Sequence, residues 1–291
     1  VTQAYLALAA DREALQLVAS TLEAQEAAYN MIRKRHEVGM ASELDLRRSQ
    51  TQVETARGDV ARYTQLVAQD ENGLNLLVGS SVRPDLLPRD LSGVTLPRDI
   101  SAGLSSDVLL GRPDVLAAEH FLKAANANIG AARAALFPRI SLTTSFGTAS
   151  ADLSGLFKGG SDVWTFAPQI VTPIFDPRLW YAYDVTKIEK EISIAQYEKS
   201  IQTAFREVAD ALAEKGTVSR RVTAQQSLVD AMAVVYRLSE MRYEKGIDSY
   251  LSVLDAQRSL YGAQQGLILL RLASVNNIVT LYKTLGGGAS S

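Results

Sequence analysis

Apolar positions recur at alternating steps of three and four along one part of the chain: Ile194, Tyr197, Ile201, Ala204, Val208, Ala211, then Val218, Val222, Val229, Met232, Tyr236 and Tyr243, with Lys215, Gln225 and Ser239 at the remaining steps. The stripe lies in a stretch from Leu179 to Lys245 that holds no proline and a single glycine, Gly216. A seven-residue repeat sustained that long predicts a helix supercoiled against a partner, not one wrapped into a globular core. At 1.5 Å per residue it would span about 100 Å. The stretch predicts a rod.

Other segments read as shorter helices. Thr2 to Glu37 is rich in Ala, Leu, Gln and Glu and is stopped by Gly39. Ser42 caps the next helix, with Asp45 in its first turn at the positive end of the dipole. That helix runs to about Val78 and Gly79. Pro113 opens another, where its missing N–H costs nothing, and it ends at Leu136, before Pro138. A last helix runs from about Tyr250 to Leu285 after Gly246 and Ser249. Turns this short between helices predict antiparallel hairpins.

From Pro138 to Ser150 the period changes to two. Ile140, Leu142, Thr144, Phe146 and Thr148 share one face, against Ser141, Thr143, Ser145 and Gly147. From Val163 to Ile174, Trp164, Phe166, Pro168, Ile170 and Ile174 share a face, against Thr165, Ala167 and Gln169. Two such strands match the span of a membrane β-barrel, and Ile140, Leu142, Phe146, Trp164, Phe166 and Ile170 become the lipid-facing candidates. The same pattern suits an amphipathic hairpin lying on a soluble core. Helix lengths favour the membrane reading, because the long helix and the shorter returning ones then put the strands at one end and the glycine turns at the other. Two strands cannot close on themselves, and open edges cannot sit in lipid, so several copies must share one barrel.

The expected organisation is therefore mainly α with a β-hairpin. Residues 1–79 form a first helical hairpin, 80–111 a connector on the outside of the rod, 112–137 a helix, 138–175 the strand pair, 176–245 the long helix, and 246–291 the returning helix and tail. Pro84, Pro88, Gly93, Pro97 and Gly103 mark the connector. An offset of 207 residues brings Arg35 onto Arg242, Gly39 onto Gly246, Ser42 onto Ser249, Leu44 onto Leu251 and Gly79 onto Gly286. Such self-similarity implies duplication of one supersecondary unit. Val1 then falls on Val208, so the upstream part of the first copy is expected to lie outside this chain.

Composition narrows the chemistry. A net charge of −2 and a pI near 5.8 give no electrostatic case for nucleic acid. Cysteine is absent, which removes thiolate catalysis and cysteine-ligated metal sites. No apolar run approaches the length of a transmembrane helix. His36 and His120 stand alone on different helices, and Gly286-Gly287-Gly288 lacks the lysine and following helix of a phosphate loop. No catalytic constellation, metal or cofactor is expected.

Several motifs carry a resemblance: Gly111-Arg112-Pro113-Asp114, Asn128-Ile129-Gly130-Ala131-Ala132-Arg133 running to Phe137-Pro138, Ile174-Phe175-Asp176, Ala195-Gln196-Tyr197-Glu198, Phe205-Arg206-Glu207-Val208-Ala209-Asp210 and Leu254-Asp255-Ala256-Gln257-Arg258. Together they resemble the TolC-like outer-membrane factors of tripartite RND-type drug-efflux pumps, close to the OprM subgroup, over nearly the whole chain. The resemblance implies a homotrimer in which long coiled-coil hairpins form a periplasmic α-barrel and the strands contribute to a shared transmembrane β-barrel. It implies a passive exit duct, with a periplasmic adaptor (membrane-fusion) protein, an inner-membrane RND transporter and outer-membrane lipid as partners. By the same resemblance Leu251 and Asp255 line the closed periplasmic aperture as an apolar and an acidic ring, and Arg258 helps to latch it. The tips at Gly39, Ser42, Leu44, Gly246 and Ser249 would meet the adaptor. One departure is Pro177-Arg178-Leu179-Trp180-Tyr181 after Asp176, where the family usually has a glycine pair; Trp180 and Tyr181 would sit near the membrane interface. The competing reading is a soluble coiled-coil scaffold or a periplasmic adaptor protein.

Overall fold

The computed structural model describes residues 1–94 and 106–287. Pro97 and Gly103 of the expected connector, and the tail beyond Gly287, lie outside the described residues. Five helices and one strand pair are present among those described: α1 (Thr2–Glu37), α2 (Glu43–Val78), α3 (Pro113–Ala134), β1 (Arg139–Thr148), β2 (Asp162–Val171), α4 (Pro177–Glu244) and α5 (Tyr250–Thr284). The chain divides into two compact units, Val1–Ser105 with Arg206–Ser291, and Ser106–Phe205, and the division falls inside α4.

In the first unit α1 and α2 form an antiparallel hairpin. Its register is marked by Arg12 to Glu71 at 2.6 Å and Arg57 to Glu26 at 2.8 Å. The C-terminal part of α4 and α5 form a second hairpin, joined by Gln225 Nε2 donating to the Ala263 carbonyl at 2.8 Å and by buried Asn277 donating to the Ala211 carbonyl at 3.0 Å. The heptad stripe is what α4 buries. Every position from Tyr197 to Tyr243 in that stripe is buried or half-buried, and Ala204, Ala211, Val218 and Val229 most deeply; Ile194, at its start, stays exposed. Small side chains here let the helices approach closely, so shape does the work that bulk does elsewhere.

Two apolar clusters fasten α5 to α1. One gathers Ala9, Ala10 and Ala14 with Leu91 and Ile268; the other gathers Ile32 with Tyr250, Val253 and Leu254. Leu91 belongs to the connector, which therefore does not simply lie over the helices as its composition suggested. Polar side chains of α1 draw it in: Glu13 Oε2 accepts the Leu91 N–H at 3.1 Å, and Arg12 donates to the Pro88 carbonyl at 2.8 Å. With its backbone satisfied, the one large apolar side chain can be buried without orphaning a peptide group.

Both hairpin turns close in the same way. The Met40 N–H reaches the Arg35 carbonyl at 2.7 Å and the Ile247 N–H the Arg242 carbonyl at 2.9 Å, around Gly39 (φ +74°) and Gly246 (φ +71°). The duplication thus extends to backbone hydrogen bonds, because a left-handed residue is needed to satisfy the last helical carbonyls and glycine takes that conformation without strain.

In the second unit the strands pair antiparallel, Arg139 opposite Val171 through Thr148 opposite Asp162. β1 stops two residues short of its sequence-based limit at the loop end, and β2 three residues short at the other end, where Pro173 removes a donor. The register sets Ile140 beside Ile170, Leu142 beside Pro168, Thr144 beside Phe166 and Phe146 beside Trp164. The glycine pair expected before the long helix is replaced by a local cap: the Arg178 N–H reaches Asp176 Oδ1 at 3.1 Å and its guanidinium grips both carboxylate oxygens at 2.8 Å.

A Cβ on Gly246 would meet nothing within 4 Å, whereas its φ disfavours every L residue. Gly246→Ala should therefore destabilise by about 1 kcal/mol from backbone strain alone. Gly216, inside α4 with equal free space, predicts the opposite sign: Gly216→Ala should stabilise by roughly 0.5–1 kcal/mol. Denaturant unfolding of the two variants checks both directions.

Candidate functional site

The turn of the second hairpin leads directly into the residues of interest. Ser249 takes the N-cap conformation of α5, and its carbonyl accepts the Ser252 N–H at 3.1 Å; its hydroxyl makes no cap bond. At the equivalent turn the Ser42 hydroxyl both accepts the Asp45 N–H at 3.1 Å and donates to the Asp45 carboxylate at 2.7 Å. Ser252 stands where the first copy has Asp45, so the second turn has no carboxylate at that position to accept from the serine hydroxyl.

Beyond Ser249, α5 turns one face inward and one outward. Tyr250, Val253 and Leu254 are buried against Ile32. Leu251 is 42% exposed and points away from that cluster with Asp255, four residues on and hence on the same face. Asp255 accepts from Arg258 Nη2 at 2.7 Å, one turn further, and both side chains are exposed. Gly39, Ser42, Leu44, Gly246 and Ser249 are all exposed at the two turns. Leu251, Asp255 and Arg258 therefore form one contiguous solvent-facing group, and the turn residues form two exposed tips in the same unit.

An aromatic and basic cluster behind the tips escaped the sequence reading. The Tyr243 and Tyr250 rings lie 5.2 Å apart, and the Arg35 guanidinium sits 5.2 Å from the Tyr243 ring centre. Arg35 belongs to the first hairpin and Tyr243 to the second, so this cation–π contact joins the two. The repeat carried a trace of it: the first copy has His36 where the second has Tyr243. Burial pushes the Tyr250 phenol up to about 12, assisted by Tyr243, Asp45 and Glu240. Burial also raises the Tyr236 phenol, which donates to Glu240. Arg242 grips Asp248 through two nitrogens and holds that carboxyl below its ordinary range.

The strand pair is the other candidate surface. Ile140, Leu142, Phe146, Trp164, Phe166 and Ile170 all lie on one face and are more than half exposed, so none is covered by the helices of this chain. Trp164 and Phe166 stack with ring centres 6.0 Å apart. The opposite face carries Ser141, Thr143, Ser145, Thr165, Ala167 and Gln169, all uncharged, with Arg139 at its end opposite Val171. Trp180 and Tyr181, in the first turn of α4, are exposed as well. Among the described residues no helix is long and apolar enough to cross a membrane, and no group of three or more acidic, histidine or cysteine side chains could hold a metal ion.

A family model for the outer membrane efflux protein matches residues 1–80 and 104–287. The chain belongs to that family. The solvent efflux pump outer membrane protein SrpC of Pseudomonas putida is 48% identical over 291 residues, covering 100% of this chain and 62% of that one. A solved membrane protein from Pseudomonas aeruginosa has a TM-score of 0.80 at 42% identity, over 98% of this chain and 64% of that one. The open state of the Neisseria gonorrhoeae MtrE outer membrane channel gives 0.75 at 39% identity, over 98% and 65%. The chain thus spans less than two thirds of the length of these relatives. As an outer membrane efflux protein it has the fold of the TolC-like channels, sited in the bacterial outer membrane and extending into the periplasm, as its motifs suggested.

The Tyr250 proton is held more tightly in the folded state than in the unfolded chain, where the phenol titrates near 10. Its contribution to stability is complete below pH 10 and is lost as the pH rises through about 12. Tyr250→Phe should move the alkaline unfolding midpoint upward, read by circular dichroism against pH, while leaving stability at pH 7 at least as high, since the hydroxyl it removes has no partner.

Proposed function

We propose that this protein is the outer-membrane exit duct of a tripartite multidrug efflux pump, a passive channel gated at its periplasmic helical tip. Three copies share one β-barrel and one helical tunnel. A periplasmic adaptor protein meets the exposed turns at Gly39, Ser42, Leu44, Gly246 and Ser249. An inner-membrane RND transporter supplies the energy, so the duct itself carries out no reaction. The observation that carries the reading is a sheet whose whole apolar face is bare and whose outer edges have no strand beside them among the described residues. A soluble scaffold or an adaptor would bury that face against its own chain.

In this reading Ile140, Leu142, Phe146, Trp164, Phe166 and Ile170 face lipid and the hydroxyl-bearing face, with Arg139 at its end, lines the lumen. Away from Arg139 such a lining discriminates little by charge, which suits the solvent cargo named for SrpC. Discrimination then falls to the tip. Threefold symmetry would bring three Leu251 and three Asp255 side chains together, an apolar constriction beside an acidic ring that favours cations. Arg258 offsets part of that charge and tethers Asp255 in the closed state.

Replacing both Leu251 and Asp255 by alanine should raise the ion conductance of the protein reconstituted in planar bilayers and reduce its cation preference. Unchanged conductance retires the aperture assignment. The lipid-facing assignment has its own test: Phe146→Arg should cost about 2–4 kcal/mol of stability in the bilayer if the ring lies near the midplane, seen as a lower urea midpoint in lipid vesicles.

A further inference from the structure

Between its two apolar attachments to α1, helix α5 spans a hollow. Gln257, Arg258 and Tyr261 of α5 look across it toward Thr21 and Gln25 of α1 and Ala56 of α2, around a cavity of about 320 Å³. A smaller hollow of about 190 Å³ on the Tyr236 side shares Thr21, Gln257 and Tyr261 with it. All these walls belong to one compact unit. The seam is thus tight at Tyr250 to Leu254 and again at Ile268, and open between.

One wall atom is unpaired. Gln25 is 4% exposed, yet its Oε1 accepts no hydrogen bond. A buried amide oxygen beside a cavity is an acceptor waiting for a donor, because nearly all such groups in folded proteins are satisfied. The charges on the walls are already engaged. Asp59 accepts from the Tyr261 hydroxyl at 3.1 Å and pairs with Arg62 at 3.4 Å, and Arg258 is bound to Asp255. An occupant gains little by carrying charge. Thr21, Gln52, Thr55 and Gln257 add neutral polar groups, while most of the wall area is apolar, with Val18, Ala56 and the Tyr261 ring in it, and the volume sits at the small end of ligand sites.

We propose that this hollow is a binding site for a compact, uncharged, largely apolar molecule that presents one N–H, as an aryl or alkyl amide does, to Gln25 Oε1. The occupant bridges α1, α2 and α5 where only polar contacts, Tyr261 to Asp59 and Arg57 to Glu26, otherwise join them. The site stands apart from the duct reading, since its chemistry is complete within these three helices and its test does not involve conduction.

Benzamide and methyl benzoate are close in size, but only the first has an N–H. Titrated into the purified full-length protein and followed by ligand-observed NMR, benzamide should bind about five- to tenfold more tightly. Benzamide should also slow hydrogen exchange at amides in residues 18–25 and 257–261. Gln25→Leu should abolish the preference for the amide while keeping methyl benzoate binding, and Ala56→Leu, which fills the hollow from α2, should block both probes. Equal affinity of the two probes for the unaltered protein, an amide preference that survives Gln25→Leu, or a hollow that takes up neither probe and holds only water overturns the proposal.

Discussion

Each of the two strands turns one row of backbone N–H and C=O groups toward the other and a second row away from it. The first rows are paired along ten residues of each strand; the second rows meet no strand among the described residues. In water such edges invite further strands, and in hydrocarbon each unpaired group would cost several kcal/mol. The side chains add a second demand, since the apolar face is bare along its whole length. No rearrangement within these strands can meet both demands. Only additional strands on each side, with an apolar medium against one face, satisfy the peptide groups and cover Ile140, Phe146, Trp164 and Ile170 together.

The helical part solves a different problem. A heptad seam of small and medium apolar residues is repetitive, and a slide by one repeat would leave it almost as well packed. Polar bonds at fixed positions remove that freedom. Asn277, 2% exposed, donates to the Ala211 carbonyl and to Glu214 at 3.0 Å. Gln225 reaches the Ala263 carbonyl, and it can do so because Gly266 has no Cβ, which would lie 2.8 Å from the Gln225 amide nitrogen. Both bonds tie α4 to α5 in one register. The seam gives up some apolar area to these residues and gains a single alignment in return.

Much of this was legible in the chain because it rests on local periodicity. The stripe from Tyr197 to Tyr243 is a property of spacing, and the structure buries that stripe. The alternation from Ile140 to Phe146 fixed which side chains share a face, and the cross-strand register keeps them together. Gly39, Gly79 and Gly246 announced their left-handed turns. What stayed hidden depends on partners distant in sequence. Nothing around Leu91 shows that Glu13 and Arg12 will satisfy its segment and bring it inside. Nothing around Gln25 shows that its oxygen will border a hollow made by α2 and α5. The replacement of a glycine pair by Pro177-Arg178 was visible, but the grip of Arg178 on Asp176 needed the fold of one turn.

Duplication left two tips with one backbone and two ways of being held. At the first, the Ser42 and Asp45 side chains cap α2 from within, a local arrangement of the kind worth about 1 kcal/mol that needs no other element. At the second, Ser249 offers no such bond, and the start of α5 depends on Tyr250, Val253 and Leu254 packing against Ile32 of the other hairpin. The equivalent arginines divide in the opposite sense. Arg242 stays within its own turn on Asp248, while Arg35, with Ala41 where an acid would be needed, lies over Tyr243 of the second hairpin. So the two tips lean on each other, and only the start of α2 carries a side-chain cap of its own. A displacement between the two hairpins would leave the start of α2 intact and release the start of α5, the turns that carry Leu251 and Asp255.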